Sequence, residues 1–322
     1  MEGIAQAQPN IALVKYWGKQ RGGNNVPSTP SLSITLDALW TRTRVEFSGA
    51  HARDLFVIND KSDEAQRQRV ARCLDHIRQA TGRDLYALVE SKNNFPTGAG
   101  LASSASGFSA LVTAACAALD ADLDRDQQSR LARMSSASAA RSMLGGFVEL
   151  DVTETDPAAR PLLDQRDWPL EVLVAVTSTN AKSVGSTQGM LQSAATSAFY
   201  AAWTNSAGDD FTAARKAVLR RDFQSLAEVS EASCLKMHGV MLTTKPALVY
   251  WNGATVEIIH RVRALRSQGT PAFFTIDAGP QVKVVTEAEF VDNVRQAIED
   301  IPGVVDIVPS ALGAGARVVD EF

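Results

Sequence analysis

The 322-residue chain is 45% apolar and 21% charged, with a formal net charge of -4. That balance predicts a globular protein with a large core and room for two domains, and it excludes a disordered chain. It supplies no whole-molecule positive field for nucleic acid. No apolar run is long enough for a membrane span, and no signal-peptide pattern is read.

Three cysteines, Cys73, Cys116 and Cys234, are odd in number and widely spaced. This usage fits a reduced, cytoplasmic setting. The four histidines, His51, His76, His238 and His260, form no ligand pair at useful spacing.

In chain order, Ile11–Val14 is a short apolar run that predicts a strand and leads into Lys15-Tyr-Trp-Gly-Lys19. Residues 22–30, rich in Gly, Asn and Pro, predict a loop. Ser31-Leu-Ser-Ile-Thr-Leu36 alternates small polar and apolar residues, which predicts a half-buried strand. Thr41–Phe47 repeats that period, and Leu55–Ile58 is a further strand. Glu64 to Arg78 predicts a helix with Val70, Cys73, Leu74 and Ile77 on its apolar face. Leu85–Val89 returns as a strand. The small-residue loop Pro96–Gly107 then runs into an apolar helix over Phe108–Ala118. Asp126–Met134 predicts another helix, Gly145–Leu150 a turn and strand, and Val172–Thr177 a strand.

From about Gly189 helices predominate. Met190–Ala207 and Phe211–Ala227 predict two helices separated by a turn at Gly208-Asp-Asp, and Ser230–Met241 a third. Val256–Gln268 is a helix, Ala272–Ile276 and Gln281–Val285 are strands, Glu287–Ile298 is a helix and Gly303–Pro309 a final strand. The expected class is α/β with an α+β layer at the end. Two domains are expected, residues 1–188 and 189–322. The strand–GxGxxG–helix order of a dinucleotide fold and the Walker A pattern are both missing.

Small side chains let a ligand approach the backbone, and a helix N-terminus presents free N–H groups with partial positive charge. The loop before Phe108 is therefore either a phosphate seat, with Ser103 and Ser104 adding hydroxyls, or a tight turn with a serine cap. Lys15 and Lys19 are either anion ligands or solvated surface lysines. Ser135-Ser-Ala-Ser-Ala-Ala-Arg141 either lines a pocket, with Arg141 as a forked donor, or starts a helix. Lys182-Ser-Val-Gly-Ser-Thr-Gln-Gly-Met190 is a third small polar segment. Three such segments suggest loops gathered around one polyanion. Asp277, at the end of an apolar strand and before Ala278-Gly-Pro280, is either a general base or the anchor of an Asx-turn.

Taken together, Asn10-Ile-Ala-Leu-Val-Lys15-Tyr-Trp-Gly-Lys19, Pro30-Ser-Leu-Ser-Ile-Thr-Leu36, Asn94-Phe-Pro-Thr-Gly-Ala-Gly-Leu-Ala-Ser-Ser104, Arg141-Ser-Met-Leu-Gly-Gly-Phe-Val-Glu149 and Phe274-Thr-Ile-Asp-Ala-Gly-Pro280 resemble the diphosphomevalonate decarboxylases of the GHMP kinase superfamily. The resemblance runs in order across nearly the whole chain. It implies a ribosomal protein S5 domain 2-like N-terminal domain, a ferredoxin-like GHMP C-terminal domain and ligands between them. It implies ATP and Mg²⁺, and conversion of mevalonate 5-diphosphate to isopentenyl diphosphate through phosphorylation of the 3-hydroxyl. It also implies a homodimer.

Carried onto this chain, the resemblance makes Asp277 the essential carboxylate and Lys15 its neighbour. Tyr16 and Lys19 hold the diphosphate. Ser138 and Arg141 fix the mevalonyl end, and Ser136 and Ser186 lie along the substrate. Gly98, Gly100, Ser103 and Ser104 wrap the ATP phosphates, with Ser104 the one protein oxygen suggested for the metal. The chain departs from the family pattern at Gln20–Asn25, at Thr29-Pro-Ser31 and in the first residues of Ser135–Ala139. A kinase that stops after phosphorylation, a relative that decarboxylates a monophosphate substrate, and a non-catalytic nucleotide binder are the competing readings. Retention of both Lys15 and Asp277 favours the decarboxylase.

Overall fold

The computed structural model describes residues 1–95, 103–180 and 182–322. The first half contains β1 (Glu2–Ala7), β2 (Asn10–Val14), β3 (Ser31–Thr35), β4 (Thr41–Phe47), β5 (Leu55–Ile58), α1 (Glu64–Thr81), β6 (Ala87–Asn93), α2 (Ser103–Ala118), α3 (Arg125–Ser135), α4 (Ala139–Ser142), β7 (Phe147–Leu150), β8 (Arg160–Leu163) and β9 (Leu170–Val176). The second contains α5 (Ser186–Thr196), α6 (Tyr200–Arg220), α7 (Phe223–Leu242), α8 (Gly253–Ser267), β10 (Ala272–Ile276), β11 (Val282–Glu287), α9 (Val291–Glu299), β12 (Asp306–Ala311) and β13 (Arg317–Val318). Among the described residues no helix is long and apolar enough to cross a membrane.

The strands form three sheets, ordered β13-β1-β4-β6-β5, β2-β3-β7-β8 and β10-β11-β9-β12. The chain changes sheet at Gln8-Pro9, between β1 and β2. One core lies between the first sheet and α1, α2 and α3, with Val45, Phe47, Leu74, Ile77, Val89 and Leu111 buried in it. A second joins β2, β3 and β7 to β9, β10, α6 and α7 through Ile11, Leu32, Phe147, Val172, Phe211 and Phe273. A third packs α8 and α9 on the last sheet. The middle core therefore welds the two halves of the chain, and the cleft described below opens beside it.

Strand β1 was not expected, because Gly3 and Gln6 interrupt its apolar pattern. The glycine has a packing reason: a Cβ there would lie 2.3 Å from the Ala114 carbonyl oxygen of α2. Strand β3 is buried on both faces rather than half-buried, with Ser31, Ser33 and Thr35 all fully enclosed. Its polar face meets an arginine instead of water.

The turn expected at Gly208-Asp-Asp is a helix interior. Helix α6 runs through it, and Asp210 accepts from Lys236 Nζ of α7 at 2.8 and 2.9 Å. This tertiary partner outweighs the weak helix propensity of Gly and Asp. The real break is at Arg221, in the left-handed region with φ 55°, followed by Asp222 capping α7 through the Ser225 N–H.

Candidate active site

Lys15 follows β2, where the register with β3 shifts between Ala12 and Val14. The segment beyond it is not helical, so Lys15 and Lys19 part company. Lys15 turns inward, is 1% exposed, and donates to Asp277 Oδ1 at 2.6 Å. Its backbone N–H donates to Ser233 Oγ of α7 at 3.0 Å. Lys19 instead donates to Asn25 Oδ1 at 2.6 Å, and Asn25 donates to the Met134 carbonyl at 2.5 Å. Between the two lysines, Gly18 has φ +138°, and a Cβ there would lie 2.0 Å from the Tyr200 hydroxyl oxygen. The glycine of this motif thus has a local cause.

Arg141 on α4 is 1% exposed, and each of its three guanidinium nitrogens donates a hydrogen bond. Nη1 donates to Ser31 Oγ at 2.7 Å, Nε to Ser33 Oγ at 3.0 Å and Nη2 to Asn10 Oδ1 at 3.3 Å. Residues two apart on a strand face one side, so the Ser-x-Ser of β3 is built for the guanidinium fork. The guanidinium also lies 5.4 Å from the Tyr16 ring centroid. Ser138 Oγ is 3.2 Å from Ser136 Oγ, which is 3.4 Å from Ser104 Oγ near the start of α2. On the opposite side, Lys182 Nζ donates to Ser186 Oγ at 2.9 Å and to the Ala278 carbonyl at 3.1 Å.

Lys15, Lys19, Asn25, Arg141, Lys182 and Asp277 line one cleft of about 1070 Å³. Asp277, Lys15, Tyr16, Lys19, Arg141, Ser103, Ser104, Ser136, Ser138 and Ser186 are thus gathered at one place. Gly98 and Gly100 lie outside the described residues.

Sequence reasoning missed two sets of groups. Lys283 of β11 is 1% exposed, with Nζ 3.4 Å from Asp277 Oδ2. Arg69, Arg72 and His76 flank the apolar face of α1 and line the far end of the cleft. A lysine inside the otherwise apolar strand Val282-Lys-Val-Val285 was the available signal, since lysines are seldom buried without a partner.

The electrostatics are those of an anion site. Burial by itself pushes the Asp277 carboxyl up, but the charges of Lys15 and Lys283 outweigh it and hold the group far below the usual carboxylate range. Burial lowers the ammonium pKa of both Lys283 and Lys182, against the opposing pull of Asp277. Burial likewise raises the Tyr16 phenol. Lys15, Lys182, Lys283 and Arg141 all feel the charge of Asp277, so cations outnumber the carboxylate they surround. Such an excess inside a cleft is costly unless an anion completes it. With hydroxyls and a helix start adjoining, the arrangement suits positioning and charge stabilisation in phosphoryl transfer.

Comparison with known proteins agrees with this geometry. Residues 7–160 match the diphosphomevalonate decarboxylase-like N-terminal domain, and residues 172–311 the mevalonate 5-diphosphate decarboxylase C-terminal domain. The diphosphomevalonate decarboxylase of Candida albicans is 31% identical, over 98% of this chain and 97% of its own. The phosphomevalonate decarboxylase of Haloferax volcanii is also 31% identical, over 100% and 98%. A solved structure described as MDDEF in complex with MVAPP, AMPPCP and magnesium superposes with a TM-score of 0.92, at 36% identity, covering 100% of this chain and 99% of that one. Fold and cleft together are those of a two-domain α/β protein of the GHMP kinase type. Within that class the chain belongs to the diphosphomevalonate decarboxylase family.

Proposed function

We propose that the cleft binds Mg²⁺-ATP and mevalonate 5-diphosphate and converts the latter to isopentenyl diphosphate, ADP, phosphate and CO₂. The observation that carries this reading is the Lys15–Asp277 pair at 2.6 Å, set among surplus cations in one cleft. The relative solved with MVAPP, AMPPCP and magnesium supports the choice of ligands.

Asp277 accepts a hydrogen bond from the substrate 3-hydroxyl and orients its oxygen toward the γ-phosphorus. A loose phosphoryl-transfer transition state builds little positive charge on the attacking oxygen until late, so a weakly basic carboxylate suffices. Lys15 restrains the carboxylate and offsets the negative charge gathering beside it. As the new O–P bond forms, the bond from the γ-phosphorus to the departing ADP oxygen breaks and the hydroxyl proton passes to Asp277. The 3-oxygen, now phosphorylated, becomes a leaving group. When the C–O bond breaks with phosphate, the electrons of the bond to the carboxylate carbon form the alkene and CO₂ departs.

Arg141 and Ser138 hold the mevalonyl carboxylate end, while Tyr16 and Lys19 hold the diphosphate. Ser136 and Ser186 line the substrate. Gly98, Gly100, Ser103 and Ser104 take the ATP phosphates, with Arg69 and Arg72 at the nucleotide end. The neutral oxygen of Ser104 is the hard donor type that Mg²⁺ accepts, and the ion, when bound, neutralises phosphate charge. These residues fit a metal carried in mainly by its phosphates.

A second substrate, mevalonate 5-phosphate, is favoured by the full-length match to the phosphomevalonate decarboxylase. For the domain division we propose the segment between β8 and β9 over residue 189, because β9 is an inner strand of the sheet shared with β10, β11 and β12. A cytoplasmic homodimer completes the reading, and sedimentation at assay concentration tests the dimer.

The test of function is paired ADP and CO₂ release with Mg²⁺-ATP, using the wild type and Asp277→Asn. Equal release that is lost in the variant is expected. ADP without CO₂ makes the protein a 3-kinase. Turnover only of the monophosphate moves the assignment to that substrate, and release of neither product from either substrate overturns the reading.

A further inference from the structure

We propose that Lys283 is a positioning residue for Asp277, holding the inner oxygen of its carboxylate so that the other oxygen faces the cleft. The inference rests on the assignment of Asp277 to the reaction.

The geometry starts from strand register. In the antiparallel pair of β10 and β11, Lys283 is opposite Thr275. Directly paired residues project to the same side of a sheet, and so does the residue two further along. The Lys283 stem therefore runs beside Thr275, and its ammonium reaches forward to Asp277, one residue beyond the strand. Nζ stops 3.4 Å from Asp277 Oδ2 and 3.4 Å from the Gln281 carbonyl.

The two carboxylate oxygens are not equivalent. Oδ2 is a buried atom without a well-formed hydrogen bond, whereas the Asp277 side chain as a whole is 26% exposed. Its exposed part is therefore not Oδ2. Oδ1 is the oxygen Lys15 holds at 2.6 Å. Lys15 and Lys283 thus take one oxygen each. The pair fixes the rotation of the carboxylate, where Lys15 alone leaves it free to swing both oxygens onto one ammonium.

Other charged or titratable groups surround Asp277, and none of them duplicates this contact. Lys182 is committed to Ser186 and the Ala278 carbonyl. Arg141 is committed to β3 and Asn10. Cys234 and His238 of α7 lie against Ile276, and Tyr16 lies beside Arg141. Lys283 is not among the residues that line the cleft, whereas Asp277 is, so its effect passes through Asp277.

The experiment compares wild type, Lys283→Met, Lys283→Arg, Asp277→Asn and the double variant Asp277→Asn with Lys283→Met. Steady-state kinetics use mevalonate 5-diphosphate and Mg²⁺-ATP, and thermal melts use the protein alone. Lys283→Met is expected to lower kcat about 10- to 100-fold, the range for a misplaced catalytic group, with KM for the diphosphate within about two-fold. Lys283→Arg is expected to recover part of kcat. In the melts, Asp277→Asn leaves two buried ammonium groups without their carboxylate, and removing Lys283 as well is expected to restore much of the lost Tm.

Wild-type kcat in Lys283→Met, or a rise in KM alone, overturns the proposal. So do strictly additive Tm changes in the double variant, because they mean the two groups are not coupled. The melts need no substrate, so they decide the coupling even if the wild type fails to turn over mevalonate 5-diphosphate. Such a failure in the kinetics counts against the function and not against the pair.

Discussion

Lys15 and Asp277 stand 262 positions apart in the chain and meet at 2.6 Å, joining the end of β2 to the end of β10. A second bond runs beside them, from Thr275 Oγ1 to the Ala12 carbonyl at 3.0 Å. The Lys15–Asp277 pair is therefore also part of the weld between two sheets. Breaking a buried pair by removing one member leaves an uncompensated charge, at a cost of about 3 kcal/mol or more. Lys15→Met is expected to lose about that much stability in urea unfolding, toward the lower end because Lys283 still faces the carboxylate. Its kcat is expected to fall at least ~100-fold, the scale for removing one electrostatic group at a reacting centre. Wild-type turnover in this variant removes Lys15 from the mechanism.

Arg141 is held by a three-point fork, which an ammonium cannot reproduce. Arg141→Lys keeps the charge but leaves the hydroxyls of Ser31 and Ser33 and the amide oxygen of Asn10 with fewer partners than they have now. Each buried polar group left unpaired costs about 1–3 kcal/mol. The variant is expected to be less stable than wild type and to lose kcat/KM by at least ~10-fold. Unchanged values on both counts mean the fork serves neither packing nor substrate.

Most of the strands and the small-residue segments were legible in the sequence because their signals are local. Ala272–Ile276 is apolar except for Thr275, and β10 occupies those same residues. Ser31-Leu-Ser-Ile-Thr revealed its period but not its burial, since the partner of its polar face, Arg141, arrives from 110 residues away. The break between α6 and α7 was misplaced for the same kind of reason. Gly208 and Asp210 read as a turn until Lys236 from the next helix supplies a partner. Lys283 carried no motif and drew its meaning from a cross-strand neighbour. What was lost is what depends on residues far along the chain.

The segment Gln20–Asn25 is anchored to the rest of the fold. Asn24 and Asn25 both take positive φ, 57° and 52°, a conformation asparagine tolerates better than most residues. The buried Arg133 donates to the Asn24 carbonyl and to the Pro157 carbonyl, and Asn25 bridges Lys19 to Met134. Lys19 is thereby held at the cleft wall with its head oriented. Asn25→Ala frees that head without removing it. KM for the diphosphate is expected to rise about 10-fold with kcat little changed, the pattern of lost uniform binding. A fall in kcat at constant KM would place Asn25 in the chemical step instead.

His238 sits behind the Asp277 carboxylate, 2% exposed, with Nε2 3.3 Å from both the Trp251 indole nitrogen and the Ile276 carbonyl. Burial, reinforced by the charge of Lys15, pushes its pKa down to about 3. The folded-state value lies below the ordinary value of about 6.5. Between those two values the unfolded chain binds a proton that the folded chain refuses, so stability rises with pH across that window. It is fully present above pH ~6.5 and declines as the pH falls, by about 1.4 kcal/mol per unit. Asp277 titrates below this window and adds its own loss only under pH ~4. Denaturation midpoints measured from pH 7.5 to 5 are therefore expected to fall in wild type by the equivalent of about 2 kcal/mol below pH 6.5. His238→Gln keeps an acceptor for the indole N–H and is expected to flatten that slope. Equal slopes in the two proteins would show that His238 accepts its proton without unfolding.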